Sequence, residues 1–503
     1  MMLNNALKAI LVLLFIFTPI AFGSMEIWAF TLMELGILLL IVLWTIQNLI
    51  NRNALDQMLK RVQHDEKRDV IPNLFRNLDF GNDHQFIPFV LLRSIKFEIL
   101  MICLFLMVVI FQLIPLPSGI AKILSPKTYE LRHVLSVPDS PFTVHHSLFT
   151  VSFVPFLTKV ELYKWLMLSA FFLFLLQWNY LKDGIRTFNQ LVIVIFLVGV
   201  FESLYGMFEF FSGHHQILHL KGISSVTGTF INRNYFAGYL LMVIPLGMGF
   251  FFSREALHTR RLRGWRQRLS SLDGKTLLVG FGIIVMILGL IFSASRMGIL
   301  SLLLSFTLIS ILFKARQWGK GISKTSLLIL GLGLLWAIWI GLDAVITRFF
   351  TVSDDMKWRW TVWTDTLRIA RDFPIWGTGL GTFSQVFPMY KSFHMQRLVT
   401  HAENDFFQLA SEVGFIGMGI LFILFIFLLV KAVARIRSLS ITDSGRYIGI
   451  GSLVGILALM FHSLFERNLQ VPANAFLFTF LWILVLRAES FEQNETALSG
   501  EIR

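Results

Sequence analysis

The chain alternates between long apolar runs and shorter polar connections. About twelve of the runs approach the roughly 20 residues that an α-helix needs to cross the hydrocarbon layer of a membrane. They cover approximately residues 4–22, 27–50, 99–114, 163–180, 188–211, 235–252, 276–292, 297–313, 326–342, 414–433, 447–464 and 473–486. The pattern predicts an all-α, polytopic membrane protein with about twelve transmembrane helices.

Composition supports this prediction and excludes soluble enzyme folds. Of the 503 residues, 55% are hydrophobic and only 15% are charged, whereas soluble proteins carry about 25% charged residues. The single cysteine, Cys103, lies inside an apolar run. The chain can therefore form neither an intramolecular disulfide nor a cysteine-based zinc cluster, and its histidines and carboxylates show no spacing typical of another metal site.

The basic residues predict how the chain is oriented in the membrane. The formal net charge is +13, and Lys and Arg concentrate in the connections 254–275 and 314–324. Cytoplasmic connections keep such residues, so both termini are predicted inside and the connections 115–162 and 343–413 outside. Orientation and contact with anionic lipids explain the positive charge, and nucleic-acid binding is not expected.

The long outer connection begins with a predicted amphipathic helix over residues 353–371. Trp360 and Trp363 share one stripe, Arg359 and Arg368 lie off it, and Pro374 ends the helix. Such a helix is typical of membrane anchoring at the interface, while its arginines are candidate ligands for an anion. Three alternate glycines over residues 377–381 follow. They predict a turn, because no Gly-Lys-Ser/Thr follows as it does in a phosphate-binding loop.

Ionisable residues cluster directly before the run 414–433. His401, Glu403 and Asp405 lie within five residues of one another. If a helix begins at His401, then His401 and Asp405 are stacked one turn apart, and the carboxylate can orient the imidazole as a general base. The alternative is an acidic helix N-terminus that suits the helix dipole without any catalysis.

Two isolated arginines lie at the outer ends of predicted spans. Arg233 precedes one span and Arg296 another. A guanidinium group stays charged and matches phosphate oxygens with a planar fork, so these residues suit a lipid-linked pyrophosphate or, alternatively, lipid headgroups. Glu202, Tyr205 and Glu209 share one face of a span near this side and could pair with the arginines.

Four motifs in order resemble one family. They are Gly-Thr-Phe-Ile-Asn-Arg-Asn-Tyr-Phe-Ala-Gly at 228–238, Ser-Ala-Ser-Arg-Met-Gly at 293–298, Arg-x-x-x-Trp-x-Asp-Thr-Leu at 359–367 with the glycines after it, and His-Ala-Glu-Asn-Asp-Phe-Phe-Gln-Leu at 401–409. In this order they resemble the O-antigen ligase and O-antigen polymerase family of bacterial inner-membrane glycosyltransferases, over roughly residues 188–464.

The predicted spans, the charge distribution and the resemblance together divide the chain into three regions. Residues 1–187 form an N-terminal transmembrane region with a cytoplasmic loop at 51–98 and a periplasmic loop at 115–162. Residues 188–466 form a ligase- or polymerase-like core with the periplasmic loop 343–413, and residues 467–503 form the last transmembrane helix and a cytoplasmic tail. Both termini are expected in the cytoplasm and the active site in the periplasm.

The resemblance also implies a reaction. A glycan is transferred from undecaprenyl pyrophosphate to an acceptor hydroxyl, carried by the lipid A core in a ligase or by a second lipid-linked glycan in a polymerase. No nucleotide sugar, cofactor or metal is required. Arg233 and Arg296 match the family's pyrophosphate ligands, with Arg359 and Arg368 as further candidates. Glycosylation of a protein acceptor is a third, less favoured outcome.

The predicted base is ambiguous. Many family members have a histidine directly before the Asn of the last motif, whereas here Glu403 precedes Asn404 and the histidine is His401. Either residue can be the base, and His401 is preferred. A lipid-linked oligosaccharide flippase is the alternative from another functional class, because it too needs many spans and ionisable residues at membrane depth. The ionisable residues lie near the outer boundary rather than the midplane, which favours the transferase.

Overall fold

The computed structural model describes residues 2–65, 96–135, 148–178, 184–218, 220–222, 225–258, 273–314, 331, 352–394, 398–440 and 443–488. Most of these residues are helical, and the predicted all-α class is confirmed. Two very short antiparallel strand pairs occur in connections, where Leu116–Pro117 (β1) pairs with Leu148–Phe149 (β2) and Gln216–Ile217 (β3) pairs with Lys221–Gly222 (β4).

Fifteen α-helices follow one another in the described residues. They are α1 Met2–Ile20, α2 Ile27–Asp65, α3 Lys96–Leu113, α4 Ser118–Leu124, α5 Pro126–Leu135, α6 Pro155–Trp178, α7 Gly184–Phe211, α8 Arg233–His258, α9 Gly274–Phe292, α10 Arg296–Lys314, α11 Val352–Asp372, α12 Phe383–Val386, α13 Asp405–Ser438, α14 Ser444–His462 and α15 Pro472–Leu486. Short 3₁₀ turns cover Phe22–Ser24 and Phe387–Met389.

Within the described residues, nine helices are long and apolar enough to cross a membrane: α1, α2, α3, α6, α7, α8, α9, α13 and α14. The shorter apolar helices Arg296–Leu312 and Pro472–Leu486 coincide with two further predicted spans. The predicted span 326–342 lies outside the described residues except for Gly331. Eleven of the predicted spans therefore correspond to helices, and the total of twelve stays a prediction.

Helix α8 forms the centre of the bundle and packs along α14. The two backbones approach closely at glycines, since a Cβ on Gly249 would overlap the Tyr447 carbonyl oxygen and one on Gly451 would overlap that of Pro245. Small residues at such crossings are typical of membrane helices, because lipid gives no hydrophobic drive and close packing must hold the pair. Around α8 lie α7, α9, α10 and α15.

A second group of helices lies beside this core. Helix α3 packs between α6 and α13, and α6 also contacts α2 and α15. Helix α13 buries little of its surface and exposes large apolar side chains, among them Phe415, Ile423 and Val430. These side chains suit contact with lipid. The space between the two groups contains the cavity described below.

The connections predicted on the outer side meet at one end of the bundle. The Gln112 side chain donates hydrogen bonds to the carbonyl oxygens of Trp376 and Glu412, at 2.6 and 2.9 Å. The Phe153 amide donates to the Thr378 carbonyl at 2.7 Å. Helix α11, predicted over 353–371 and observed over Val352–Asp372, packs against α13 at this same end.

Candidate active site

Helix α13 begins too late in the chain for His401 and Asp405 to lie one turn apart on it. Asn404 caps it, with its side-chain oxygen accepting hydrogen bonds from the amides of Phe406 and Phe407, both at 3.0 Å. Asp405 is therefore the first helical residue, and His401 lies in the preceding loop. The expectation that His401 and Asp405 stack one helical turn apart is wrong, because the asparagine cap stops the helix from extending back to His401.

Asp405 instead anchors the connection between α14 and α15. Its Oδ2 accepts hydrogen bonds from the amides of Asn468 at 2.8 Å and Leu469 at 2.9 Å. Its own amide donates to the Ser463 carbonyl at 3.1 Å, and the Asn404 side chain donates to the Leu464 carbonyl at 2.7 Å. The predicted role of Asp405 as orienter of His401 is not supported by these contacts, which hold two backbone segments together.

His401 lies on the wall of a cavity of about 790 Å³. Its Nδ1 is buried and has no hydrogen-bond partner among the described residues. The loop around it is fixed through Ala402, whose carbonyl accepts a hydrogen bond from Trp363 Nε1 at 3.0 Å and whose amide donates to Gln408 Oε1 at 3.1 Å. The backbone that carries the imidazole is thus held by α11 and α13.

The cavity is amphiphilic. It extends along α13 from its first residue past the non-helical Gly414 to Leu428, and lies between the core helices and the second group. Its apolar wall includes Phe30, Phe172, Phe422, Phe425, Leu428 and Trp482. Its ionisable lining residues are Glu161, Lys164, His401, Asp405, Glu412 and Arg467. Long apolar walls with charged groups at the loop end match the shape of a lipid with a polar head.

Glu403 lies next to the cavity but does not line it. Its carboxyl group neighbours that of Glu466, and Arg359 forms an ion pair with Glu466, with 2.6 Å between Nη2 and Oε1. Burial, and then the neighbouring Glu466, raise the pKa of Glu403 to about 7. Burial also raises the pKa of Glu466, against the opposing charge of Arg359. The two acids and Arg359 form the carboxyl cluster.

Arg467 is a site residue that sequence reasoning missed. Its Nε donates a hydrogen bond to the Tyr235 hydroxyl, and its guanidinium carbon lies 5.1 Å from the centre of the Tyr235 ring. It lines the cavity together with His401. A signal was present in the sequence, since Glu466 and Arg467 place opposite charges side by side in a short connection between two apolar runs.

The four arginines predicted to bind pyrophosphate have different surroundings. Arg233 and Arg296 are half-buried at the first residues of α8 and α10, and Arg359 belongs to the carboxyl cluster. The Arg368 side chain is 62% exposed and forms an ion pair with Asp365 at 3.1 Å. None of the four lines the cavity. Their assignment to pyrophosphate stays a prediction.

Two other expectations are wrong in detail. Glu202 forms no ion pair with an arginine among the described residues; its carboxylate instead accepts hydrogen bonds from the amide and the hydroxyl of Thr229, at 2.7 and 2.8 Å. The tryptophan stripe of α11 is also divided. Trp363 is 8% exposed and faces the protein, whereas Trp360 is 64% exposed. Packing of α11 onto α13 buries one side of the stripe.

The glycine-rich segment after α11 forms the expected turn. Gly377, Gly379 and Gly381 all have positive φ, of 70°, 106° and 80°. The amides of Gly381 and Phe383 donate to the Glu412 carboxylate at 2.9 and 3.2 Å. The acceptor for these two loop amides is therefore a carboxylate of the chain itself.

Comparison with known proteins identifies the family that one segment of the chain resembles. No curated protein matches the chain. Residues 281–422 match the model of a protein family described as O-antigen ligase, and this span contains α11, the glycine turn and His401. The predicted resemblance is confirmed over these residues: the chain contains a segment that matches the O-antigen ligase family, and nine helices among its described residues are long and apolar enough to cross a membrane.

Proposed function

We propose that the protein is a polyprenyl-pyrophosphate-dependent glycosyltransferase that moves a glycan from undecaprenyl pyrophosphate to an acceptor hydroxyl. The observation that carries the proposal is the amphiphilic cavity, which has His401 and Arg467 at its charged end. The apolar wall suits the polyprenyl chain, and the charged end suits the pyrophosphate and the sugar attached to it. The family match supports a glycan-transferring ligase or polymerase.

In the proposed reaction, His401 accepts the proton of the acceptor hydroxyl while its oxygen attacks the anomeric carbon of the donor sugar. The bond from that carbon to the pyrophosphate oxygen breaks, and its electron pair leaves with the polyprenyl pyrophosphate. A base lowers the barrier to attack, and cations stabilise the charge that develops on the leaving group. One displacement inverts the anomeric configuration, so a product that retains the donor's configuration would contradict this mechanism.

His401 is preferred to Glu403 as the base because His401 lines the cavity and Glu403 does not. Glu403 has a pKa near neutrality, which also suits a base. Its neighbour is a second carboxyl group within the carboxyl cluster, so we assign it to that cluster. This choice is tested below by separate substitutions of the two residues.

The acceptor and the location follow the family. We infer a bacterial inner-membrane protein with both termini in the cytoplasm and the cavity's charged end at the periplasmic face. The acceptor is the lipid A core if the protein is a ligase, or a second lipid-linked glycan if it is a polymerase. The mass of the product distinguishes these two outcomes directly.

The test is glycan transfer by the purified full chain in nanodiscs with a lipid-linked glycan donor and each candidate acceptor. His401→Ala should lower the transfer rate by about 10²- to 10⁴-fold, the usual contribution of a general base, and leave donor binding nearly unchanged. His394→Ala is the matched control, since His394 is an exposed loop histidine outside the cavity lining. It should transfer at the wild-type rate.

Two outcomes would change the proposal. If Glu403→Gln abolishes transfer and His401→Ala does not, the base is Glu403. If the wild-type protein transfers glycan to no acceptor but moves labelled lipid-linked glycan across a vesicle bilayer, the transferase proposal fails and the protein is a flippase.

A further inference from the structure

Three cationic side chains at the site differ in whether a carboxylate pairs with them. Arg359 forms an ion pair with Glu466, and Lys164 forms one with Glu161. Arg467 forms no ion pair with a carboxylate among the described residues, and its hydrogen-bond and cation–π partner there is the phenol of Tyr235. Arg467 is thus the cavity-lining arginine that forms no ion pair with a carboxylate among the described residues.

A half-buried guanidinium without a counter-charge is costly to the folded protein. Burial lowers the pKa of Arg467, which reflects the same loss of hydration. Its Nε donates to Tyr235, while its two Nη groups have no hydrogen-bond partner among the described residues. These two groups form the fork that binds a carboxylate or phosphate in a bidentate manner.

Tyr235 fixes the direction of this fork. It holds Nε through its hydroxyl and faces the guanidinium plane with its ring, in the first turn of the buried helix α8. The carbonyl of Tyr235 accepts a hydrogen bond from the Asn474 side chain at 3.1 Å, so the first turn of α8 is tied to α15. The guanidinium is therefore positioned by the core of the bundle.

We propose that Arg467 binds the diphosphate group of the lipid-linked donor through its two Nη groups, with Tyr235 as the residue that positions it. This inference rests on the proposed function for the identity of the ligand. Arg467 lies outside the residues that match the family, 281–422. Arg467 and His401 line the same cavity. A donor bound there can therefore present its diphosphate to Arg467 and its sugar to His401.

The test compares three probes that share one chain: polyprenyl diphosphate, polyprenyl monophosphate and uncharged polyprenol, each titrated against the full chain in nanodiscs. Arg467→Gln should weaken diphosphate binding by about 10- to 100-fold, the range for losing hydrogen bonds to a charged group. Polyprenol binding should not change, because the apolar wall is untouched. The diphosphate affinity of Arg467→Lys should lie between that of the wild type and that of Arg467→Gln, since lysine keeps the charge but lacks the planar fork.

Controls separate positioning from folding. Tyr235→Phe should weaken diphosphate binding about 3-fold or more and leave polyprenol binding unchanged, whereas a purely structural role would weaken both. Arg371→Gln, on the exposed end of α11, should change neither. If Arg467→Gln does not fold, Arg467→Lys and Tyr235→Phe still decide the question. Unchanged diphosphate affinity in both would overturn the proposal.

The experiment also separates this inference from the proposed function. Binding of diphosphate that depends on Arg467, in a protein that transfers no glycan, would retain the inference and refute the transferase. Glycan transfer with an unchanged KM for the donor in Arg467→Gln would retain the transferase and refute the role of Arg467.

Discussion

Two charged regions lie side by side at the loop end of the bundle, and each contains one arginine. In the carboxyl cluster, Arg359 is paired with the buried Glu466. On the cavity wall, Arg467 rests against Tyr235 and has no ion pair with a carboxylate among the described residues. The protein itself neutralises Arg359, whereas the charge of Arg467 is available to a ligand that enters the cavity.

The comparison shows that a motif alone does not reveal which arginine is available to a substrate. Arg359 lies in a motif that resembles the family, yet its guanidinium is committed to Glu466 and to the Phe465 carbonyl. Arg467 lies in a connection that carries no such motif. The counter-charge beside each guanidinium, which depends on tertiary packing, decides between a structural and a ligand-binding role.

The largest effect should come from breaking the ion pair of the carboxyl cluster. Arg359→Ala leaves Glu466 buried without its cation, and loss of one partner of a buried pair costs about 3–5 kcal/mol. We expect this decrease in the free energy of unfolding, measured by titration with SDS in mixed micelles. Diphosphate binding by the folded fraction should remain within about 2-fold of wild type, because hydrogen bonds to the ligand are not lost.

The double variant Arg359→Ala/Glu466→Gln is the control. Removing the charge of Glu466 as well should restore most of the stability, since no buried ion is then left alone. If Arg359→Ala is fully stable but loses diphosphate binding, Arg359 is a ligand and the contrast with Arg467 disappears.

A smaller effect should follow the titration of Glu403. Burial raises its pKa from 4.5 to about 7, so between these values the folded protein holds a proton that the unfolded chain has lost. Stability therefore falls as pH rises from about 4.5 to 7 and stays low above that. Glu403→Gln cannot ionise and should be more stable than wild type by about 2–3 kcal/mol at pH 8, with the gain shrinking toward pH 5.

Unfolding free energies at pH 5 and pH 8 test this prediction. Glu130→Gln is the matched control, because the Glu130 side chain is 60% exposed and forms an ion pair with Lys127 on its own helix. This substitution should change the unfolding free energy only slightly, because an exposed ion pair contributes little to stability. A gain for Glu403→Gln that is equal at both pH values would mean that the carboxyl group is not protonated in the folded cluster.

The smallest effect concerns the loop that carries His401. Trp363→Phe removes the hydrogen bond from Trp363 Nε1 to the Ala402 carbonyl and should cost about 1 kcal/mol. Because this contact positions the base rather than the donor, transfer should slow by about 5-fold at unchanged donor affinity. Steady-state kinetics with separate kcat and KM values measure the difference. Trp360→Phe, at the exposed Trp360, should leave both constants unchanged.

Much of the fold could be read from the sequence because its cause is local. An apolar run of sufficient length must satisfy its own backbone hydrogen bonds in lipid, and a helix does so within the run. Eleven predicted spans accordingly coincide with helices. Helix α11 was also predicted closely, because its amphipathic pattern and Pro374 are local signals. Which side of its tryptophan stripe is buried cannot be predicted from local sequence, because it depends on packing against α13.

The candidate site was predictable only in part. The segment 401–405 was identified correctly as a place where ionisable groups gather, and His401 does line the cavity. The role of Asp405 was misjudged because its hydrogen-bond donors, the amides of Asn468 and Leu469, lie more than sixty residues away. The start of α13 could have been predicted from the sequence, since asparagine is a strong helix N-cap and Asn404 caps this helix.

The sequence by itself determined that the chain crosses a membrane as helices, which family it resembles and where its ionisable residues concentrate. These properties depend on local hydrophobicity and on residues that lie near one another in the chain. Only the tertiary structure decided that Arg359 is neutralised by Glu466 and that Arg467 is held by Tyr235, across 107 and 232 positions respectively. The energy of a charge depends on its neighbours and its burial in space, and both arise only when distant segments pack together.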